Sequence, residues 1–279
     1  MNFAKLHGAG NDYVFINAIG LHKDWSALSV EISNRNKGIG SDGLILLLKS
    51  NVADIKMTMF NADGSEGKMC GNGIRCLVKF AIDEGVIPQN TNLVTVETLS
   101  GILSVKPIFE NNLMVKASVK MGSPILNPID IPVKINSSNF VSNYPLKVNE
   151  YNLNLSFVSM GNPHAIAILK EPIEDVPLHI IGPILETNSI FPDRINFEIV
   201  NIISENYVKL RVWERGSGLT MACGTGACAT VVSLNLQNLV NNSVEVELPG
   251  GNLDIYWPGN GDVTMEGPVK TVYKGELLI

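Results

Sequence analysis

No apolar stretch in this sequence approaches the roughly 20 residues needed to cross a bilayer. Met1 to Tyr13 also lacks a hydrophobic leader core and a small-residue cleavage site. The expected setting is therefore the cytoplasm, with no membrane partner. Basic charge is scarce: 21 Lys and Arg against 27 Asp and Glu leave a net charge of −6. A nucleic-acid or anionic-membrane partner needs a basic footprint, so a small molecule is the expected ligand and nucleic acid is not. There is no low-complexity tract. Apolar residues make up 45% of the chain and charged ones 17%, as in ordinary globular proteins rather than disordered ones.

Cysteine is sparse as well, and its spacing excludes two uses. The four cysteines form local pairs, Cys70 with Cys76 and Cys223 with Cys228, six and five residues apart. On a helix such spacings turn the side chains roughly 120° to 140° away from each other. Neither pair is expected to bridge, and neither has the short spacing of a zinc site, so no metal is expected.

What is present is a repeat. Cys70-Gly71-Asn72-Gly73 is echoed by Cys223-Gly224-Thr225-Gly226, 153 residues on, and Asn61 and Glu214 share that interval. Gly10-Asn11 recurs as Gly161-Asn162 after 151 residues. The chain reads as a diverged duplication with two domains, 1–121 and 122–267. The join falls near Met121 to Pro132, where Gly122, Pro124, Pro128 and Pro132 interrupt regular structure. An apolar C-terminal strand, Val272 to Ile279, has no counterpart at the end of the first half, and the segment 268–279 is expected to complete the first domain.

Ile74, Leu77, Val78, Ala81 and Ile82 draw one apolar stripe, predicting a helix from about Cys70 to Glu84, ended by Gly85. Strands follow at Val94 to Thr98, Leu103 to Val105 and Leu113 to Val119, with turns at Ser100-Gly101 and Asn111-Asn112. The second half repeats this order. A helix from about Gly226 to Leu239, with Ala227, Val231, Leu234 and Asn238 in its inner row, precedes strands at Val244 to Leu248, Leu253 to Trp257 and from Val263. Helices followed by hairpins, with few β-α-β crossovers, indicate an α+β fold.

A cysteine at a helix N-terminus feels the positive end of the helix dipole and unpaired backbone N–H groups, which lower a thiol from about 8.5 toward neutrality. The glycines beside it leave those N–H groups open to a carboxylate. Two such loops facing each other would place a thiolate base and a thiol acid on opposite faces of one carbon, as removal and return of a hydrogen α to a carboxylate requires. No cofactor is needed for that scheme. A buried cysteine is otherwise a small hydrophobe, which is the reading for Cys76 and Cys228. His164 and the adjacent Glu214-Arg215 pair are candidates to tune a thiol or hold substrate. Asn11, Asn61, Asn162 and Asn196 are candidates to hold an amino acid's polar ends, though asparagines usually cap or turn. Gly224-x-Gly226-x-x-Ala229 with Glu245 loosely fits a dinucleotide fingerprint, but no buried strand runs directly into it. A noncatalytic amino-acid binder would keep the asparagines and glycines yet has no need of two cysteines.

Taken together, Gly8-Ala9-Gly10-Asn11-Asp12, Phe60-Asn61-Ala62-Asp63-Gly64-Ser65, Met69 to Cys76, Gly161-Asn162-Pro163-His164, Arg194-Ile195-Asn196, and Glu214-Arg215-Gly216 leading into Ala222 to Ala227 resemble the diaminopimelate epimerase family. The resemblance implies two similar domains, each a β-barrel-like sheet wrapped around a central helix, with the active site between them. It implies cofactor-independent conversion of LL- to meso-2,6-diaminopimelate, in lysine and peptidoglycan precursor biosynthesis, by a homodimer. Cys70 and Cys223 would be base and acid, supported by His164 and Glu214. Asn11, Asn61, Asn162, Asn196, Glu214 and Arg215 would bind substrate, with Gly71-Asn72 and Gly224-Thr225 gripping the reacting carboxylate. One departure is Gly43, where some members carry a glutamine that contacts substrate.

Overall fold

A computed structural model describes residues 1–67 and 69–278. The chain divides into two compact units, residues 1–120 with 266–279, and residues 121–265. In chain order the first half holds β1 (Asn2–Gly8), β2 (Asn11–Asn17), α1 (Trp25–Ser33), β3 (Gly43–Leu48), β4 (Ile55–Asn61), β5 (Glu66–Gly67), α2 (Gly71–Asp83), β6 (Val94–Thr98), β7 (Gly101–Glu110) and β8 (Leu113–Gly122). Next come β9 (Tyr144–Val148), β10 (Tyr151–Ser159), β11 (Pro163–Ile168), α3 (Leu178–Glu186), β12 (Asn196–Ser204), β13 (Tyr207–Glu214) and β14 (Gly218–Leu219). The chain closes with α4 (Gly224–Leu236), β15 (Ser243–Leu248), β16 (Gly251–Tyr256), β17 (Val263–Pro268) and β18 (Lys270–Glu276).

The duplication holds strand for strand. In the first unit β1–β2 is antiparallel, β2–β3 parallel, β3–β4 and β4–β5 antiparallel, β4–β6 parallel and β6–β7 antiparallel. In the second unit β10–β11, β11–β12, β12–β13, β13–β14, β13–β15 and β15–β16 repeat that order of senses. A further antiparallel strand lies on the outside of each set: β18 on β1, and β9 on β10. The central helices also match, α2 packing on β1, β2, β3 and β7, and α4 on the equivalent β10, β11, β12 and β16. The fold is thus a duplicated α+β architecture, each unit a curled sheet around one helix.

Being surrounded explains the helices' composition. Every residue of α2 from Gly71 to Ala81 is buried, including Arg75 and Lys79, so its burial extends well beyond the predicted stripe. In α4 burial also runs nearly all round, from Gly224 through Leu234 with only Thr225 partly open, which is why no stripe is visible there. That helix begins two residues earlier than predicted and ends three earlier. Asn238 lies past its end, exposed and at a φ of 56°, rather than in an inner row.

The predicted turns are present: Asn111 and Asn112 both take positive φ, 50° and 63°, as a two-residue hairpin matched to strand twist requires. Strand β7 runs further than expected, because Pro107 is accepted in the ladder opposite Ala117. Ile279, the last residue of the predicted C-terminal strand, lies outside the described residues. No helix among those described is long and apolar enough to cross a membrane.

Candidate active site

In the first unit Cys70 is the N-cap of α2, extended at φ −131° and ψ 120°, and its sulfur accepts the Gly73 N–H at 3.3 Å. The thiol also meets Oδ1 of Asn11 at 3.5 Å. Asn11 is held in that orientation by donating its Nδ2 to Asp42 Oδ2 at 2.7 Å. Arg35 bonds both Asp12 and Asp42, each at 2.8 Å, while Lys5 reaches Asp12 at 2.7 Å. Burial pushes the Asp12 carboxyl up, but the bonds from Arg35 and Lys5 outweigh it and hold it below the usual carboxylate range. Burial and the charge of Asp12 push Asp42 the other way, upward.

Asn61 ends β4 and donates to Ser65 Oγ at 2.9 Å. Asn72, buried in the first turn of α2, accepts from Arg75 Nη2 at 2.5 Å, and the Gly71 carbonyl accepts from Nη1 of the same guanidinium at 3.0 Å. Gly73 has no room for a side chain, since a Cβ would lie 2.5 Å from Ile45 Cδ1. Gly43 opens β3, where a Cβ would run into the Phe60 carbonyl and the Tyr13 ring. A glutamine does not fit that backbone as it stands.

In the second unit Cys223 caps α4 in the same way, its sulfur accepting the Gly226 N–H at 3.4 Å and meeting Thr225 Oγ1 at 3.5 Å. Asn162 donates its Nδ2 to Thr225 Oγ1 at 3.2 Å, and its Oδ1 meets His164 Nε2 at 3.1 Å. An amide oxygen only accepts, so Nε2 carries a proton. His164 Nδ1 lies 2.7 Å from Glu198 Oε1, and both side chains are fully buried.

Glu214, at the end of β13, accepts the Thr220 hydroxyl at 2.6 Å. Burial pushes its carboxyl up. Asn196 spends both polar ends on backbone, donating to the Pro163 carbonyl at 2.8 Å and accepting the Arg215 N–H at 2.9 Å. The exposed Arg215 side chain donates to the Asp193 carbonyl at 2.9 Å.

The second thiol departs from the helix-terminus expectation. Burial, then the charges of Glu214 and Glu198, push Cys223 well above the ordinary thiol range, outweighing the Thr225 hydroxyl and the Gly226 N–H. Cys76 and Cys228 are buried inside their helices as core residues, and burial lifts the Cys76 thiol to about 12.

Each unit thus offers an N-cap thiol beside helix N–H groups that have no intrahelical partner, a base or acid next to an anion site. The dinucleotide alternative lacks its frame. Although β13 and β15 pair in parallel across α4, the strand directly before the helix is the two-residue, partly exposed β14, so no buried strand runs into the glycine turn. Sequence reasoning passed over Asp42, Thr220 and Glu198. Of these Glu198 carried the plainest signal, a lone acid in the apolar run Phe197-Glu198-Ile199-Val200 of a buried strand.

Comparison with known proteins agrees with the motifs. Among solved structures, a Bacillus anthracis phenazine biosynthesis protein of the PhzF family superposes with a TM-score of 0.70 at 17% identity, covering all of this chain and 99% of the other. A hydroxyproline epimerase from Agrobacterium vitis does so at 0.68 and 13%, over 99% and 90% of the two chains. Both likenesses concern the fold. In sequence, the diaminopimelate epimerase of Methanococcus maripaludis is 45% identical over 281 residues, with both chains covered in full. Those of Desulfovibrio desulfuricans and Bacillus cereus are 45% identical, over 100% of this chain and 99% of theirs, and 41% identical, over 98% and 96%. The family model described as diaminopimelate epimerase matches residues 3–126 and 156–272, and the chain belongs to that family.

Proposed function

We propose that the protein converts LL- to meso-2,6-diaminopimelate without a cofactor, with Cys70 and Cys223 as the base and acid that invert one α-carbon. The observation that carries this reading is the pair of cysteine N-caps at equivalent places in two topologically matched units, within a chain of the diaminopimelate epimerase family. A thiolate takes the α-hydrogen from one face. The opposite thiol returns a proton to the other, leaving base and acid exchanged. The anion between the two steps is stabilised by N–H groups of the helix ends, Gly71 and Asn72 on one side and Gly224 and Thr225 on the other.

Around them Asn11, Asn61, Asn162, Asn196, Glu214 and Arg215 hold the substrate, and His164 and Glu214 tune the cysteines. Asn11 against Cys70, and Asn162 two hydrogen bonds from Cys223, support this arrangement. A homodimer in the cytoplasm, working in lysine biosynthesis, completes the reading on the family resemblance. Purified protein given LL-2,6-diaminopimelate and no additive is expected to produce the meso isomer to equilibrium, read by chiral chromatography. Binding of the LL isomer without turnover would favour a noncatalytic binder instead.

A further inference from the structure

The strand-for-strand match gives every group beneath one thiol a counterpart beneath the other. The first turn of α2 rests on Ile45 of β3, with a Cβ on Gly73 falling 2.5 Å from its Cδ1. The first turn of α4 rests on Glu198 of β12, with a Cβ on Gly226 falling 2.7 Å from its Oε1. Positions 45 and 198 are 153 residues apart, the same interval that separates the thiols. On the neighbouring strands Tyr13 stands where His164 stands, as the parallel registers Val14 to Leu44 and Ala165 to Phe197 require. A tyrosine and an isoleucine therefore occupy these two places in the first unit.

In the other unit the same space holds a buried acid and histidine. Oε1 of Glu198 is 2.7 Å from His164 Nδ1, and Oε2 has no hydrogen-bond partner among the described residues. A half-satisfied buried carboxyl is destabilising, so packing does not account for it. What it adjoins does. From His164 the hydrogen bonds run on through Asn162 to Thr225 and the Cys223 sulfur.

We propose that Glu198 is a positioning residue for the second cysteine: with His164 it locks Asn162 and Thr225 against Cys223 and places an acid where the first unit has Ile45, making the two reacting cysteines chemically inequivalent. This rests on the reading of Cys70 and Cys223 as the proton-transfer pair. The charged groups that raise Cys223 are Glu214 of β13 and Glu198 of β12, the latter bonded to His164 of β11. The other strands packed on α4 add Tyr151, eight residues along β10 from its end at Ser159, and the exposed Asp254 and Tyr256 of β16. The charge of Glu198 raises the Cys223 thiol, so its removal makes the thiolate easier to form.

The test is a pH titration of the cysteine ¹³Cβ resonances in the labelled full chain, with Cys223 assigned by its absence in Cys223→Ser. Wild type is expected to titrate at Cys223 above the ordinary thiol range. In Glu198→Gln that midpoint is expected to fall by about half a pH unit or more, with kcat lowered about tenfold, KM within twofold, and the Cys70 resonance unmoved. Glu198→Ile installs the first unit's own solution and is expected to shift the midpoint the same way. An unchanged Cys223 midpoint in folded Glu198→Gln overturns the proposal, as does loss of folding in both variants, which would assign Glu198 to stability. The resonance reads the thiol whether or not diaminopimelate turns over, so failure of the epimerase reading would be seen separately.

Discussion

Replacing either Cys70 or Cys223 by alanine is expected to lower epimerisation by about 10⁴-fold or more, the upper range for a single general acid or base, because inversion needs both in every turnover. The fold should survive. Cys223 is buried and Cys70 partly so; each loses its cap to the Gly226 or Gly73 N–H and a 3.5 Å contact to Thr225 or Asn11, and helix caps are worth about 1 kcal/mol. Circular dichroism and thermal melting would establish folding, and chiral assay the activity. The core cysteines supply the control. Cys76→Ala and Cys228→Ala remove buried thiols that no step uses, so they should cost stability while leaving kcat near wild type. Full activity in a folded Cys70→Ala or Cys223→Ala would remove that residue from the mechanism.

Gly226→Ala sets two magnitudes against each other. Alanine is favoured over glycine in a helix by about 1 kcal/mol, so propensity alone would stabilise α4. The added methyl, however, would lie 2.7 Å from Glu198 Oε1 and 3.3 Å from the Cys223 sulfur. Neither neighbour yields easily, since Glu198 is fixed on His164 inside the core. Such overpacking costs about 1 to 3 kcal/mol, so the collision is expected to win. Displacing the thiol by even about 1 Å should lower kcat by about 10²-fold. Gly85→Ala gives the contrast: its φ of 72° strains an alanine but nothing lies within 4 Å, so stability falls and kcat does not. Wild-type kcat in Gly226→Ala would mean that the cap is not held where the structure has it.

The thiols, the glycine turns and helix α2 were legible because each rests on local chemistry. Cys70 and Gly85 bracket α2 as cap and terminator, and six predicted strands lie within or close to observed ones. Helix α4 was less so, because a helix buried nearly all round has no apolar face to display. Helix α3 was invisible for a different reason. It contains Gly182 and Pro183, residues of poor helix propensity, yet Gly182 lets the Trp213 indole pack where a Cβ would lie 2.5 Å from its ring carbons. The site was legible as a set of residue types but not as bonds. Nothing in the spacing says that Asp42 fixes Asn11, that Asn196 is spent on backbone, or that Glu198 stands under Gly226. Those follow from strand register, where residues far apart in sequence become neighbours.

The central claim is that two sulfurs act from opposite faces, and it is tested most directly by following LL-2,6-diaminopimelate in heavy water by mass and chirality at early turnover. Two bases predict that each newly formed meso molecule carries one solvent deuterium at the inverted carbon, while recovered LL substrate keeps its protium. A meso product that retains substrate protium, or LL substrate that gains deuterium as fast as product forms, would show one group serving both faces and contradict the account.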